Sequence, residues 1–144
     1  MVLAAGASTR YGGVKQRELL PAVLAALGTL PYPVVVVEGA HALEPSEGAR
    51  LVRCDDWERG PGASLRCGLA ALPREITRAA VVLADGPDLD PRAIERVLAA
   101  AAPVAAATYD GRTRSHPVAL ARSVWGDLPD EGARALEPLL VDCT

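Results

Sequence analysis

Phenylalanine is absent from this chain, and two tryptophans and three tyrosines are its whole aromatic complement. Half of the residues are apolar but only 3% are aromatic, so any core has to be built from Val, Leu and Ala. That suits a parallel sheet buried under alanine-rich helices. Cysteine is scarce as well. Cys54, Cys67 and Cys143 form no Cys-x-x-Cys pair, and an odd count argues against a disulfide framework. Cys54 and Cys67 read as small apolar fillers of the interior. Charge of one sign is not in excess: the net charge of −3 gives no reason to expect nucleic acid as a partner. No apolar stretch approaches the ~20 residues that span a bilayer, so no membrane partner is expected. The chain opens directly on a strand, which leaves no room for a signal peptide. A reducing cytoplasm is the expected location. The 144 residues are enough for one domain with a real core.

What is present alternates. Apolar β-like runs occur at Val2–Ala5, Pro33–Val37, Arg50–Cys54, Ala79–Ala84 and Val104–Thr108, with a further candidate at Pro117–Leu120. Between them lie helical patterns. Leu19, Leu20, Val23, Leu24 and Leu27 share one helical face, with Pro21 tolerable near a first turn. Residues 64–72 read as a second helix. Asp90 and Pro91 supply an N-cap and a first helical residue for a third, with Ile94, Val97, Leu98 and Ala101 inward. Short helices are weaker at 122–126 and 132–137. Strand–helix alternation of this kind predicts an α/β sandwich with a largely parallel sheet.

The first run breaks abruptly into a small-residue loop, Gly6-Ala-Ser8-Thr-Arg10-Tyr-Gly12-Gly13-Val-Lys15. A strand followed by a glycine-rich turn leaves backbone N–H groups free to bind phosphate, and Arg10 and Lys15 add the positive charge a triphosphate needs. A Walker loop is excluded, because no glycine is followed at the right spacing by Gly-Lys-Ser/Thr. A dinucleotide fingerprint is excluded too, since Gly6 is followed by Ala7, Ser8, Thr9 and Arg10. Ligands of a parallel sheet gather at the carboxyl ends of its strands. That rule selects this loop and the one after Ala79–Ala84, which begins Asp85-Gly-Pro87-Asp88. Asp85 suits a metal that also binds a triphosphate, or simply opens a turn with Gly86 and Pro87.

The segment Leu3-Ala-Ala-Gly-Ala-Ser-Thr-Arg10 with Gly12, Gly13 and Lys15 resembles the signature of the MobA-like NTP transferase family, closest to its molybdenum cofactor cytidylyltransferase branch. Four further stretches agree in order: Leu83-Ala-Asp85-Gly-Pro87; Gly60-Pro-Gly62-Ala-Ser64-Leu-Arg-Cys-Gly68; Tyr109-Asp-Gly-Arg-Thr-Arg-Ser-His116-Pro117; and Pro129-Asp130-Glu-Gly-Ala-Arg134. The resemblance implies a single nucleotidyltransferase domain over residues 1–144, trimmed at its C-terminus. Its implied fold is a Rossmann-like three-layer α/β/α sandwich of the nucleotide-diphospho-sugar transferase kind.

The same resemblance implies roles. Leu3, Ala4, Ala5, Gly6, Ala7, Ser8, Arg10, Lys15 and Ser64 would bind the nucleotide, with Arg10, Lys15 and Asp85 catalytic. Asp85 and Asp130 would hold Mg²⁺ or Mn²⁺. His116 and Arg134 would border a phosphate-bearing acceptor such as molybdopterin, and Gly68 would be a close-packing position. Ala5 favours CTP over GTP, because the guanylyl branch usually has glycine there. Read without the family, Ser64 is a helix N-cap, Asp130 a capping residue, His116 a structural histidine, and Arg112 and Arg114 either anion attractors or solvated. The chain departs from the family at Gly86, Ser115 and Pro129, in a shortened stretch after Lys15, and in lacking the terminal strand with its Asp-x-Asp-Thr-Pro segment. Two rival functions follow: a transferase for a sugar phosphate or small phosphorylated alcohol, and a non-catalytic nucleotide- or cofactor-binding accessory protein.

Overall fold

The computed structural model describes residues 1–4, 15–39, 48–84 and 89–144, with residues 15–18 as backbone. The described residues form a seven-stranded sheet in the order β3-β2-β1-β4-β6-β5-β7. Its strands are β1 (Val2–Ala4), β2 (Val34–Glu38), β3 (Ala49–Arg53), β4 (Arg78–Leu83), β5 (Val104–Thr108), β6 (Ser115–Ala121) and β7 (Leu139–Asp142). β1 pairs in parallel with β2 and β4, β2 with β3, and β5 with β7. β6 alone runs antiparallel, between β4 and β5. The helices are α1 (Lys15–Leu27), α2 (Pro61–Ala70) and α3 (Pro91–Ala99). This is the expected three-layer sandwich.

Strand alternation assigns each side chain to a layer. Val35 and Val37 point to the α2 face, where Leu65, Leu69, Val81, Val118, Leu120, Trp125 and Leu128 pack with them. Val36 points to the opposite face with Val2, Ala4 and Val82, under Leu20, Val23 and Leu27 of α1 and Ile94 of α3. With no phenylalanine available, Trp125 is the one buried aromatic among the described residues, and its Nε1 donates to the Leu120 carbonyl at 2.9 Å.

Several expectations are corrected. Pro21 lies inside α1, not in its first turn. It is exposed, so its ring meets solvent and not the core. α2 begins at Pro61 with Gly60 as its cap, so Ser64 is an interior helical residue and no N-cap. Ala101 falls beyond α3, whereas Asp90 caps it as expected, its Oδ1 accepting from the Arg92 N–H at 2.9 Å. The two weak helices are short 3₁₀ segments, Arg122–Asp127 and Ala133–Ala135. A terminal strand is present: β7 pairs Ala105–Thr108 with Leu139–Asp142. Finally, Cys54 and Cys67 are not separate fillers but a disulfide, with Cα atoms 5.9 Å apart. Spacing could not reveal it, because the pair joins the residue after β3 to the middle of α2. Among the described residues no helix is long and apolar enough to cross a membrane.

Candidate active site

The parallel strands β1, β2, β3, β4, β5 and β7 end at one edge of the sheet, and β6 starts there. The described residues break off after Ala4 and after Ala84, both at this edge, where the expected phosphate loop and the Asp85 stretch follow in sequence. Ala5, Gly6, Ala7, Ser8, Arg10 and Asp85 lie outside the described residues. Lys15 is the first residue of α1, and its side chain is likewise outside them. Leu3 and Ala4 are the last residues of β1. Leu3 is the register partner of Leu83, and the Ala84 N–H donates to the Leu3 carbonyl at 3.0 Å. Leu83 is 37% exposed. Beside Leu3 it offers an apolar surface on the α2 face, a feature missed in the sequence because Leu83 reads as an ordinary strand residue.

α2 approaches this edge with its amino end. Ser64 sits in its first turns and is only 4% exposed. Two glycines let the helix come close to the segment before Gly132. A Cβ on Gly62 would overlap the Pro129 carbonyl, and one on Gly60 the Asp130 carbonyl. Instead the Gly62 N–H donates to the Asp130 carbonyl at 2.9 Å. Gly68, expected to pack closely, does: a Cβ there would collide with Met1 and Val37.

Asp130 stands against this turn with its carboxylate engaged. Arg66 donates through Nη2 to Oδ1 at 2.7 Å and through Nη1 to the Leu128 carbonyl at 2.6 Å. Arg59 lies 3.6 Å from Oδ2. The Arg66 hydrogen bond holds the Asp130 carboxyl below the usual carboxylate range, with Arg59 adding to it. So Asp130 ties α2 to the 128–132 segment through Oδ1, while Oδ2 has one long ion pair to an exposed arginine. Arg66 and Arg59 escape a reading of the sequence because their partner is remote in the chain.

The stretch expected to border an acceptor begins in a turn between β5 and β6. Asp110 Oδ1 accepts from the N–H groups of Arg112 and Thr113 at 2.8 and 2.7 Å, and from Thr108 Oγ1 at 3.1 Å. Those bonds push its carboxyl well below the ordinary range. Tyr109 donates its hydroxyl to the His116 carbonyl at 3.0 Å. His116 is exposed and precedes a cis peptide bond to Pro117. Arg114 is partly exposed and turned toward backbone carbonyls. Its guanidinium donates to the carbonyls of Ala133 at 3.1 Å and Leu136 at 2.8 Å, fastening the turn to the Ala133–Ala135 segment. Arg134, in that segment, is exposed, as is Arg112. The segments that carry Ser64, Asp130, His116 and Arg134 thus lie at the edge where the chain leaves Ala4 and Ala84. Among the described residues no group of three or more His, Cys, Asp or Glu side chains is arranged to hold a metal alone. One or two carboxylates completed by phosphate and water suit Mg²⁺ without such a cage. A cavity of about 450 Å³, lined by Met1, Leu27, Val34, Arg78 and Ile94 among others, opens at the opposite edge.

A seven-stranded, mostly parallel sheet of this order flanked by helices has the fold of nucleotide-diphospho-sugar transferases. The chain belongs to the family described as the MobA-like NTP transferase domain, whose model matches residues 1–138. No curated protein matches it in sequence. Among solved structures it is similar to Rv0371c from Mycobacterium tuberculosis H37Rv, with 25% identity and a TM-score of 0.80 over 99% of this chain and 87% of that one. That protein has also been solved in complex with manganese. The 2-C-methyl-D-erythritol 4-phosphate cytidylyltransferase of Thermus thermophilus shares 20% identity and a TM-score of 0.66, over 98% of this chain and 87% of that one. The molybdopterin-guanine dinucleotide biosynthesis protein A of Archaeoglobus fulgidus shares 17% and a TM-score of 0.60, over 88% and 68%. The last two likenesses are of fold.

Proposed function

We propose that this nucleotidyltransferase moves CMP from CTP to a phosphate-bearing acceptor, with molybdopterin as the acceptor and pyrophosphate as the leaving group. What supports the reading is that Ser64, Asp130, His116 and Arg134 lie on segments at the same edge of the sheet from which the chain leaves Ala4 and Ala84. A phosphate oxygen of the acceptor attacks the α-phosphorus, and the bond to the β-phosphate oxygen breaks. Such transfer needs positioning and charge neutralisation more than covalent help.

Arg10 and Lys15, with the amides of Gly6 to Ser8, hold the β- and γ-phosphates and draw out the leaving pyrophosphate. The ends of Leu3 and Ala4, with Ala5 and Ser64, take the nucleoside, and Leu83 extends the apolar surface beside it. His116 and Arg134 flank the acceptor. Asp85 and Asp130 are the carboxylates for Mg²⁺, and Oδ2 is the oxygen of Asp130 left to it once Arg66 holds Oδ1. The hard oxygen donors of these aspartates fit that ion, and Mn²⁺ equally. When bound, the ion neutralises charge on the phosphate oxygens.

The test is pyrophosphate release from each of the four NTPs, with and without molybdopterin. Release that requires both CTP and the acceptor is the expected result. Release only with a sugar phosphate or a small phosphorylated alcohol would move the substrate class. NTP·Mg²⁺ binding by calorimetry, with no release for any acceptor, would make the chain a binding accessory.

A further inference from the structure

The Cys54–Cys67 bond is attached to the helix that carries the nucleoside side of the site. Cys67 directly follows Arg66, and Ser64 lies one turn before it. α2 has little freedom around this bond. Gly68 leaves no space for even a methyl group against Met1 and Val37, and Gly60 and Gly62 leave none against Pro129 and Asp130. Bonded sulfurs lie about 2.05 Å apart, whereas non-bonded heavy atoms settle about 3.5–4.0 Å apart. Opening the bond therefore separates the two sulfurs by more than about 1 Å, by turning a side chain or by shifting the backbone that carries it. That separation is taken up at the residue after β3 and in the middle of α2, which the bond joins.

We propose that Cys54–Cys67 is a redox latch on nucleotide binding. Closed, it holds α2 and Ser64 in the geometry described; opened, it lets that turn shift and weakens the hold on NTP. The inference rests on α2 lining the nucleoside site, as in the proposed function. Access gives the exchange a direction. Cys54 is fully buried, while Cys67 is partly exposed. The thiolate of an external dithiol attacks the Cys67 sulfur, and Cys54 leaves as a thiolate that takes up a proton. The dithiol's second sulfur then closes on the first and releases Cys67. The reductant loses two electrons and two protons, and the protein gains two thiols. In a compartment kept reducing, such bonds are transient and regulatory more often than permanent.

The experiment equilibrates the full chain in buffers of graded reduced-to-oxidised dithiothreitol ratio. Acid-quenched samples are alkylated and their thiols counted by mass, and CTP·Mg²⁺ affinity is measured by calorimetry at both extremes. Expected are a single two-electron step between one and three thiols per chain, with Cys54 and Cys67 as the pair found by peptide mapping. The reduced form should bind CTP·Mg²⁺ about fivefold or more weaker, and Cys67→Ser should lose the dependence on buffer poise. Failure of the 54–67 linkage to form under oxidising poise overturns the proposal. So does equal affinity in both states, which leaves the nucleotidyltransferase reading intact. Absence of NTP binding in both states strikes at the functional reading itself.

Discussion

Residues on the phosphate side and at Asp130 do different work, and their variants should separate cleanly. In the proposed reaction Lys15→Ala removes a cation that holds the β- and γ-phosphates and should lower turnover about 100- to 1000-fold, the usual cost of one such donor. Circular dichroism should stay unchanged, and wild-type turnover would remove Lys15 from the reaction. Asp85→Asn should abolish metal-dependent pyrophosphate release and weaken Mn²⁺ binding, read by electron paramagnetic resonance; retained metal dependence would move the ligand elsewhere. Asp130 bears on stability as well. Its folded carboxyl is held below the ordinary value of 3.8 by Arg66. The bond therefore contributes fully above that pH, and its contribution is lost as pH falls below it through the lower folded value. Urea melts between pH 6 and pH 2 should show a steeper acid loss for the wild type than for Asp130→Asn.

At the scale of elements, close backbone contact matters more than propensity. Gly62→Ala should cost about 1–3 kcal/mol, because its methyl has nowhere to go against the Pro129 carbonyl. The same variant should raise KM for NTP. Pro21→Ala should act oppositely and stabilise by about 2 kcal/mol, since an exposed proline inside α1 sacrifices a helical hydrogen bond; an unchanged melt would mean α1 already accommodates the ring. The sequence announces those elements whose signals are local. Asp90-Pro91 is a cap written in two adjacent residues, and Val104–Thr108 a buried run with identical bounds in the structure. β7 is invisible there because it is short and largely exposed, with no alternation to read. Ser64 resembles a cap because serine caps helices. What starts α2 at Pro61 is a contact with Asp130 far along the chain. Arg66–Asp130 and Cys54–Cys67 are pairings of the same kind, settled by the sheet order and not by spacing. For the site, the sequence supplies the motifs and their order, while the partners of Asp130 and Arg114 emerge only with the fold.

At the scale of the molecule, the sheet divides the interior into an α2 layer and an α1–α3 layer, filled by aliphatic side chains with Trp125 added in the α2 layer. Leu120→Ala in the first and Leu20→Ala in the second should each cost about 2–5 kcal/mol. Their double variant should lose the sum within about 0.5 kcal/mol, because the sheet separates them. A clear departure in urea melts would mean that strain crosses the sheet. The reversed direction of β6 has its own consequence. β5 brings the chain to the edge where the parallel strands end and β6 leaves it, the two joined by residues 109–114 alone, a turn closed on itself by Asp110 and tied by Arg114 to the 133–136 segment. That turn is a replaceable cartridge. If the turn borders the acceptor, as the proposed function has it, its residues other than Asp110 and Arg114 can be exchanged to admit another acceptor while the β4–β6–β5 ladder keeps its register.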